Sequence, residues 1–226
     1  MPFHFSSVVV LNGTPPRGYA AAVLWSLSQQ KPRPQIIAAD GGGGALLAQN
    51  IWPDILIGDG DSLDEDKKQL LLEKGVQRID FPRAKNFGDG EAAMRLALEN
   101  HPGPVAVFGA FGGRLDFTIL NLTAPLLFGP EQARKFYFFG HDSLVRYIQP
   151  GEDLIQGRAG DHISLIAMTP QVTELTINGF VYPLTGYTLE AGSSRAVSNI
   201  IAETPARISY KDGQLLMVHY RKEDDV

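Results

Sequence analysis

Through residue 150 the chain alternates short apolar runs with amphipathic or Ala/Leu-rich stretches, and past Pro150-Gly151 that alternation stops. Runs at 8–11, 36–39, 55–57 and 105–108, bounded by Gly or Asp, read as buried strands. Between them, 18–30, 45–50, 64–74 and 91–100 read as helices. Parallel strands need a crossover of that kind, so the alternation predicts a mostly parallel sheet in an α/β domain over 1–150. Further strands are expected at 136–139 and 144–148, around the turn residues Gly140-His141-Asp142. Beyond residue 150, short runs at 162–168, 174–178, 207–210 and 215–220 are separated by Gly, Pro, Asn and Asp. That texture predicts a smaller all-β domain over 151–226, with the boundary near 149–158. Residues 211–214, Lys-Asp-Gly-Gln, read as a hairpin turn.

Composition narrows the function classes. With 44% hydrophobic and 20% charged residues, the 226-residue chain can bury an ordinary core. It has no cysteine, which excludes disulfides, zinc-thiolate sites and cysteine nucleophiles. The net charge of -5 argues against a nucleic-acid partner, which calls for a basic face. The start of the chain has no basic, apolar leader, and no apolar run approaches the roughly 18 residues of a membrane span, so a soluble cytoplasmic protein is expected. Trp25 and Trp52 read as packing residues, and the five histidines show no metal-ligand spacing.

The chemistry gathers at strand ends. Ile55-Leu56-Ile57-Gly58 runs into Asp59 and Asp61, whose i, i+2 spacing sends both carboxylates to one side of an extended segment. Two such carboxylates repel unless a cation or proton lies between them, and Mg²⁺ takes one or two carboxylates together with substrate phosphates. Ser62 and Glu65 fit a capping box for the next helix, and Asp64 and Asp66 read as first-turn acids complementing its dipole. Asp40 precedes four glycines, Gly41 to Gly44, which serve either as a flexible turn or as a close approach of backbone to a ligand. Asp89, after Lys85, is either the cap of the following helix or a third carboxylate, with Lys85 then neutralising phosphate. In Gly112-Gly113-Arg114-Leu115-Asp116, Arg114 offers a fork suited to phosphate, and Asp116 either caps the helix or orients Arg114. Residues 192–199 read as a polar loop entering a strand. A P-loop is absent: Tyr19 stands where its lysine belongs.

Taken in order, Asn12-Gly13, Asp40-Gly41-Gly42, Gly58-Asp59-Gly60-Asp61-Ser62, Lys85-Asn86-Phe87-Gly88-Asp89, Gly112-Gly113-Arg114-Leu115-Asp116-Phe117 and Ser198-Asn199 resemble the motifs of the thiamine pyrophosphokinase family. The resemblance implies an α/β domain followed by a β-sandwich, and a homodimer in which thiamine lies where one subunit's α/β domain meets the other's sandwich. It implies transfer of pyrophosphate from ATP to the thiamine hydroxyl, with release of AMP. Residue by residue, it implies Mg²⁺ held by Asp59, Asp61 and Asp89, and nucleotide contacts from Asp40, Gly41, Gly42, Lys85, Gly112, Gly113, Arg114 and Asp116. It implies thiamine contacts from Ser198 and Asn199, and a catalytic set of Asp59, Asp61, Asp89 and Arg114, with Asp89 or Asp61 as the base. The chain departs from the family pattern at Asn86, Gly88 and Phe117, where Asp, Thr and His are usual. Those departures keep open a pyrophosphokinase for another alcohol, such as a pterin, and a non-catalytic ATP or thiamine-phosphate sensor. A metal-dependent phosphohydrolase is the reading from a different class.

Overall fold

A computed structural model describes residues 4–58, 63–81 and 86–221. The chain divides into two compact units, Met1–His141 and Asp142–Val226. In the first, the strands are β1 (Ser7–Val10), β2 (Gln35–Ala39), β3 (Ile55–Ile57), β4 (Gln77–Ile79), β5 (Val105–Phe108) and β6 (Phe136–Phe139). They form a parallel sheet in the order β6-β5-β1-β2-β3-β4. The helices are α1 (Gly18–Ser28), α2 (Gly42–Leu47), α3 (Glu65–Glu73), α4 (Asp89–Asn100), α5 (Leu115–Thr123) and the single turn α6 (Pro130–Ala133).

Every residue of β1 and β5 is buried, as expected for central parallel strands covered on both faces. Full burial of Phe108, Phe136 and Phe138 contributes roughly 2–3 kcal/mol each. The edge strand β4, reading Gln-Arg-Ile, is mostly exposed and carries no apolar run, so periodicity misses it. Among the described residues, no helix is long and apolar enough to cross a membrane.

Helix starts differ from the sequence reading in three places. The glycine run is part of α2 itself: a side chain at Gly42 would strike the carbonyl oxygen of Val10, so the helix rests directly on the end of β1. It is a packing device rather than a flexible turn. In α3 the N-cap is Asp64, which has no capping hydrogen bond and pairs with Lys67 at 2.6 Å, so a box from Ser62 to Glu65 is out of register. In α4 the cap is Gly88, so Asp89 is the first helical residue and not the cap. Trp25 is solvent-exposed, against the packing reading, whereas Trp52 is half-buried under the Lys74 ammonium.

The second unit is all β: β7 (Ser143–Ile148), β8 (Gly151–Ile155), β9 (His162–Ala167), β10 (Gln171–Asn178), β11 (Leu184–Glu190), β12 (Asn199–Ile200), β13 (Ala206–Tyr210) and β14 (Leu215–Tyr220). Antiparallel pairing gives two layers, β12-β9-β14-β7 and β11-β10-β13-β8. Alternate residues of β9 turn inward, as do Val172, Leu175 and Ile177 of β10 across a register shift, and Ile163, Leu165, Val172, Leu175 and Ile177 meet Leu215 and Met217 in one core. The Tyr147 phenol is fully buried, and burial pushes it up to about 12.

The 211–214 segment is not a hairpin. β13 pairs with β10 and β8, while β14 pairs with β7 and β9, so the turn carries the chain from one layer to the other. It is held by the Gln214 amide donating to Thr169 Oγ1 and by the Thr173 amide donating to the Asp212 carbonyl. Both flanking strands bury alternate residues in the same core, and local turn chemistry does not distinguish that from pairing. Sequence reading also missed a buried pair here: His219 Nε2 lies 2.8 Å from Asp161 Oδ2, with both side chains almost fully enclosed.

Candidate active site

The carboxyl ends of β1, β2 and β5, the N-terminal turn of α4 and one face of α5 along its length surround a cavity of about 340 Å³. That is where open α/β sheets take ligands, and the volume falls in the range for small molecules. Asp40, Asp89, Glu91, Gly112 and Arg114 line it together with Asn12, Phe117, Leu120 and Asn121.

Asp40 ends β2 in the left-handed conformation (φ 48), held by its amide donating to the Ile57 carbonyl. Its carboxylate lies against Gly58, which itself has φ 112. A Cβ at Gly58 would sit 3.1 Å from Asp40 Cγ and 3.6 Å from Asp89 Cγ, so the missing side chain makes the space in which the two carboxylates converge. Gly88 has no side chain with which to cap α4 at the cavity edge.

Arg114 is the N-cap of α5 and follows Gly112 and Gly113, both at positive φ. Asp116 accepts from Arg114 Nε at 3.1 Å and also from its terminal nitrogen, and its Oδ1 accepts the Phe117 amide at 3.0 Å, so the one carboxylate both orients Arg114 and satisfies a first-turn N–H of α5. The pairing holds the Asp116 carboxyl below the usual carboxylate range and raises the guanidinium further. The Phe117 ring lies 4.7 Å under the same guanidinium, so Phe in place of His supplies an aromatic shelf.

The structure thus brings Asp40, Asp89, Gly112 and Arg114 to one cavity, with Asp116 behind Arg114. Gly41 lies against the Asn12 side chain and Gly42 against β1; neither they nor Gly113 line the cavity. Asp59, Asp61 and Lys85 lie outside the described residues. Among those described, no three His, Asp or Glu side chains form a metal-binding group. Sequence reading missed Glu91, Leu120 and Asn121. Phe117, Leu120, Asn121 and Ala124 stand at i, i+3, i+4 and i+7, a helix-face signal that counting along α5 reveals.

In the second unit, Ser198 sits at φ 59 and its amide donates to Ser164 Oγ. Asn199 is buried, and its side chain is spent on the backbone of Tyr182: Nδ2 donates to the Tyr182 carbonyl at 2.7 Å, and Oδ1 accepts the Tyr182 amide at 3.0 Å. Tyr182 itself is 60% exposed. Asn199 therefore fixes Tyr182 and is not itself open to a ligand.

Comparison with known proteins now bears on this geometry. Residues 28–135 match the model for the thiamin pyrophosphokinase catalytic domain, and 148–215 match that for its vitamin B1 binding domain. Thiamine pyrophosphokinase of Bacillus subtilis is 30% identical over 183 residues, covering 80% of this chain and 85% of that protein. The chain belongs to the thiamin pyrophosphokinase family. A rice relative, thiamine pyrophosphokinase 1 of Oryza sativa subsp. japonica, is 23% identical and covers 90% of this chain and 83% of its own. The fold agrees with the crystal structure of the Bacillus subtilis enzyme (TM-score 0.82, 24% identity, covering 95% of this chain and 98% of that one). It also agrees with the yeast structure (TM-score 0.77, 17% identity, 97% and 88%). Each family match falls within one of the two units.

Proposed function

We propose that the protein transfers a pyrophosphoryl group from ATP to the hydroxyl of thiamine, giving thiamine diphosphate and AMP. The observation that carries this reading is the family match over both units, together with a first-unit cavity holding Asp40, Asp89 and Arg114. In the reaction the thiamine oxygen bonds to the β-phosphorus, and the bond from that phosphorus to the oxygen bridging the α-phosphorus breaks. AMP leaves with that bridging oxygen, and the hydroxyl proton passes to a carboxylate, Asp89 or Asp61. Such chemistry asks the protein mainly for positioning and charge neutralisation. Arg114, braced by Asp116 and Phe117, supplies positive charge to the phosphates, and the uncapped first turn of α4 supplies N–H donors.

Magnesium fits the donor set. The carboxylates of Asp40 and Asp89 meet in a space that a Cβ at Gly58 would fill, directly before Asp59, and hard oxygen donors suit Mg²⁺. Asp89, with Asp59 and Asp61, would hold the ion, which when bound lowers the charge opposing attack on the phosphates. The expected result is thiamine-dependent AMP release that EDTA abolishes and Mg²⁺ restores. Phosphate release from ATP without thiamine would favour a phosphohydrolase instead.

On the acceptor side, the ring of the exposed Tyr182, beside Val181 and near the Ser198 turn, supplies a stacking surface for the thiamine ring. Tyr182→Ala is expected to raise the thiamine KM about tenfold with kcat little changed, a loss of about 1.4 kcal/mol in stacking. An unchanged KM would remove Tyr182 from the site. A homodimer is part of the same reading: α5 buries none of its residues and exposes Leu115 and Ile119, an apolar face that a second copy would cover. A sedimentation mass of one chain would contradict it.

A further inference from the structure

The cavity has two chemically different ends. Asp40 and Asp89 form one; the other is the inner face of α5, where Phe117, Leu120 and Ala124 are apolar and Asn121 is the one polar side chain. Asn121 Nδ2 donates to the Ala110 carbonyl at 3.1 Å, which uses one of its two hydrogens. Its Oδ1 lies beside Gly90 and receives no hydrogen bond among the described residues. An anchored amide thus keeps an acceptor and one donor, set among apolar side chains. That pair complements the adenine edge, which offers an exocyclic amine next to a ring-nitrogen acceptor.

We propose that Asn121 selects the donor base, accepting the exocyclic amine of adenine so that ATP is preferred to a 6-oxopurine triphosphate. This rests on the proposed kinase reading, because the carboxylate end is there assigned to the phosphates. Asn12, the other amide at the cavity, lies against Gly41, next to Asp40, at the end that the kinase reading assigns to the phosphates. In inosine triphosphate a carbonyl replaces the amine, and the two oxygens, Oδ1 and O6, would face each other without a proton.

The test compares ATP and inosine triphosphate on wild type, Asn121→Ala and Asn121→Asp, by calorimetric binding without thiamine and by kcat/KM with it. Wild type is expected to prefer ATP by about tenfold or more. Asn121→Ala is expected to bring that ratio close to one, mainly by weakening ATP. Asn121→Asp loses the bond to Ala110 but keeps the acceptor, and is expected to retain the preference. A purely structural role would lower both nucleotides together and leave the ratio unchanged, and that result would overturn the proposal. So would a wild type that does not discriminate, or an Asn121→Ala variant that instead loses discrimination between thiamine and its 4-oxo analogue, since the amide would then read the acceptor's amine. The binding ratio is measurable even if no thiamine diphosphate forms, so failure of the kinase reading is seen separately.

Discussion

Asp89→Asn is expected to lower thiamine-dependent AMP formation by about a thousandfold while the protein stays folded. The change keeps the shape of the side chain and removes its charge. Asp89 is the first residue of α4 and does not cap it, and its favourable interaction with the helix dipole contributes about 0.3–1 kcal/mol to stability. Its catalytic share is larger. In the proposed reaction it would serve as base for the acceptor hydroxyl, worth roughly 10²–10⁴-fold, and would help hold the cation that neutralises the phosphates. Steady-state rates with Mg-ATP and thiamine, beside a thermal melt of the same preparation, separate the two effects. A variant with more than a tenth of wild-type turnover would show that Asp89 is neither base nor metal ligand.

The largest expected effect on stability lies in the other unit. Asp161→Ala is expected to destabilise the fold by about 3 kcal/mol, lowering Tm by roughly 10 °C. Asp161 Oδ2 accepts from the His219 ring nitrogen and, at 2.9 Å, from the Arg158 amide. Truncation leaves the buried His219 ring nitrogen without its acceptor and removes the side-chain acceptor of the part-buried Arg158 amide, and an unmade buried hydrogen bond costs more than a made one gains. Asp161→Asn keeps an acceptor and is expected to recover part of the loss. A drop below about 1 kcal/mol for the Ala variant would mean that the pair carries little of the unit's stability.

Legibility in the sequence followed burial. β1, β2, β3 and β5 were readable to within a residue because central parallel strands are covered on both faces and show as unbroken apolar runs. β4 and β11 were not, because an edge strand has little apolar surface to bury: β4 is Gln-Arg-Ile, and most of β11 faces solvent. The 211–214 turn was legible as a turn, but which strands it joins in hydrogen bonding is decided by the layers on either side. At the site, Arg114 stands out as a charged residue in a glycine-rich turn at a strand end, whereas local sequence leaves Asp89 between helix cap and carboxylate ligand and Asp40 beside a glycine run with a structural reading of its own. Asn121 and Tyr182 do not stand out. One becomes visible only as part of a helix face, and the other only through Asn199, which a short motif marks and whose buried amide is committed to a residue far from it in sequence.

The most direct test of the central claim is to incubate the purified protein with Mg-ATP and thiamine and to resolve nucleotides and thiamine species by chromatography. Thiamine diphosphate and AMP in equal amounts, with neither formed when thiamine is left out, is the predicted result. ADP with thiamine monophosphate, or ATP left intact in the presence of thiamine, would contradict it.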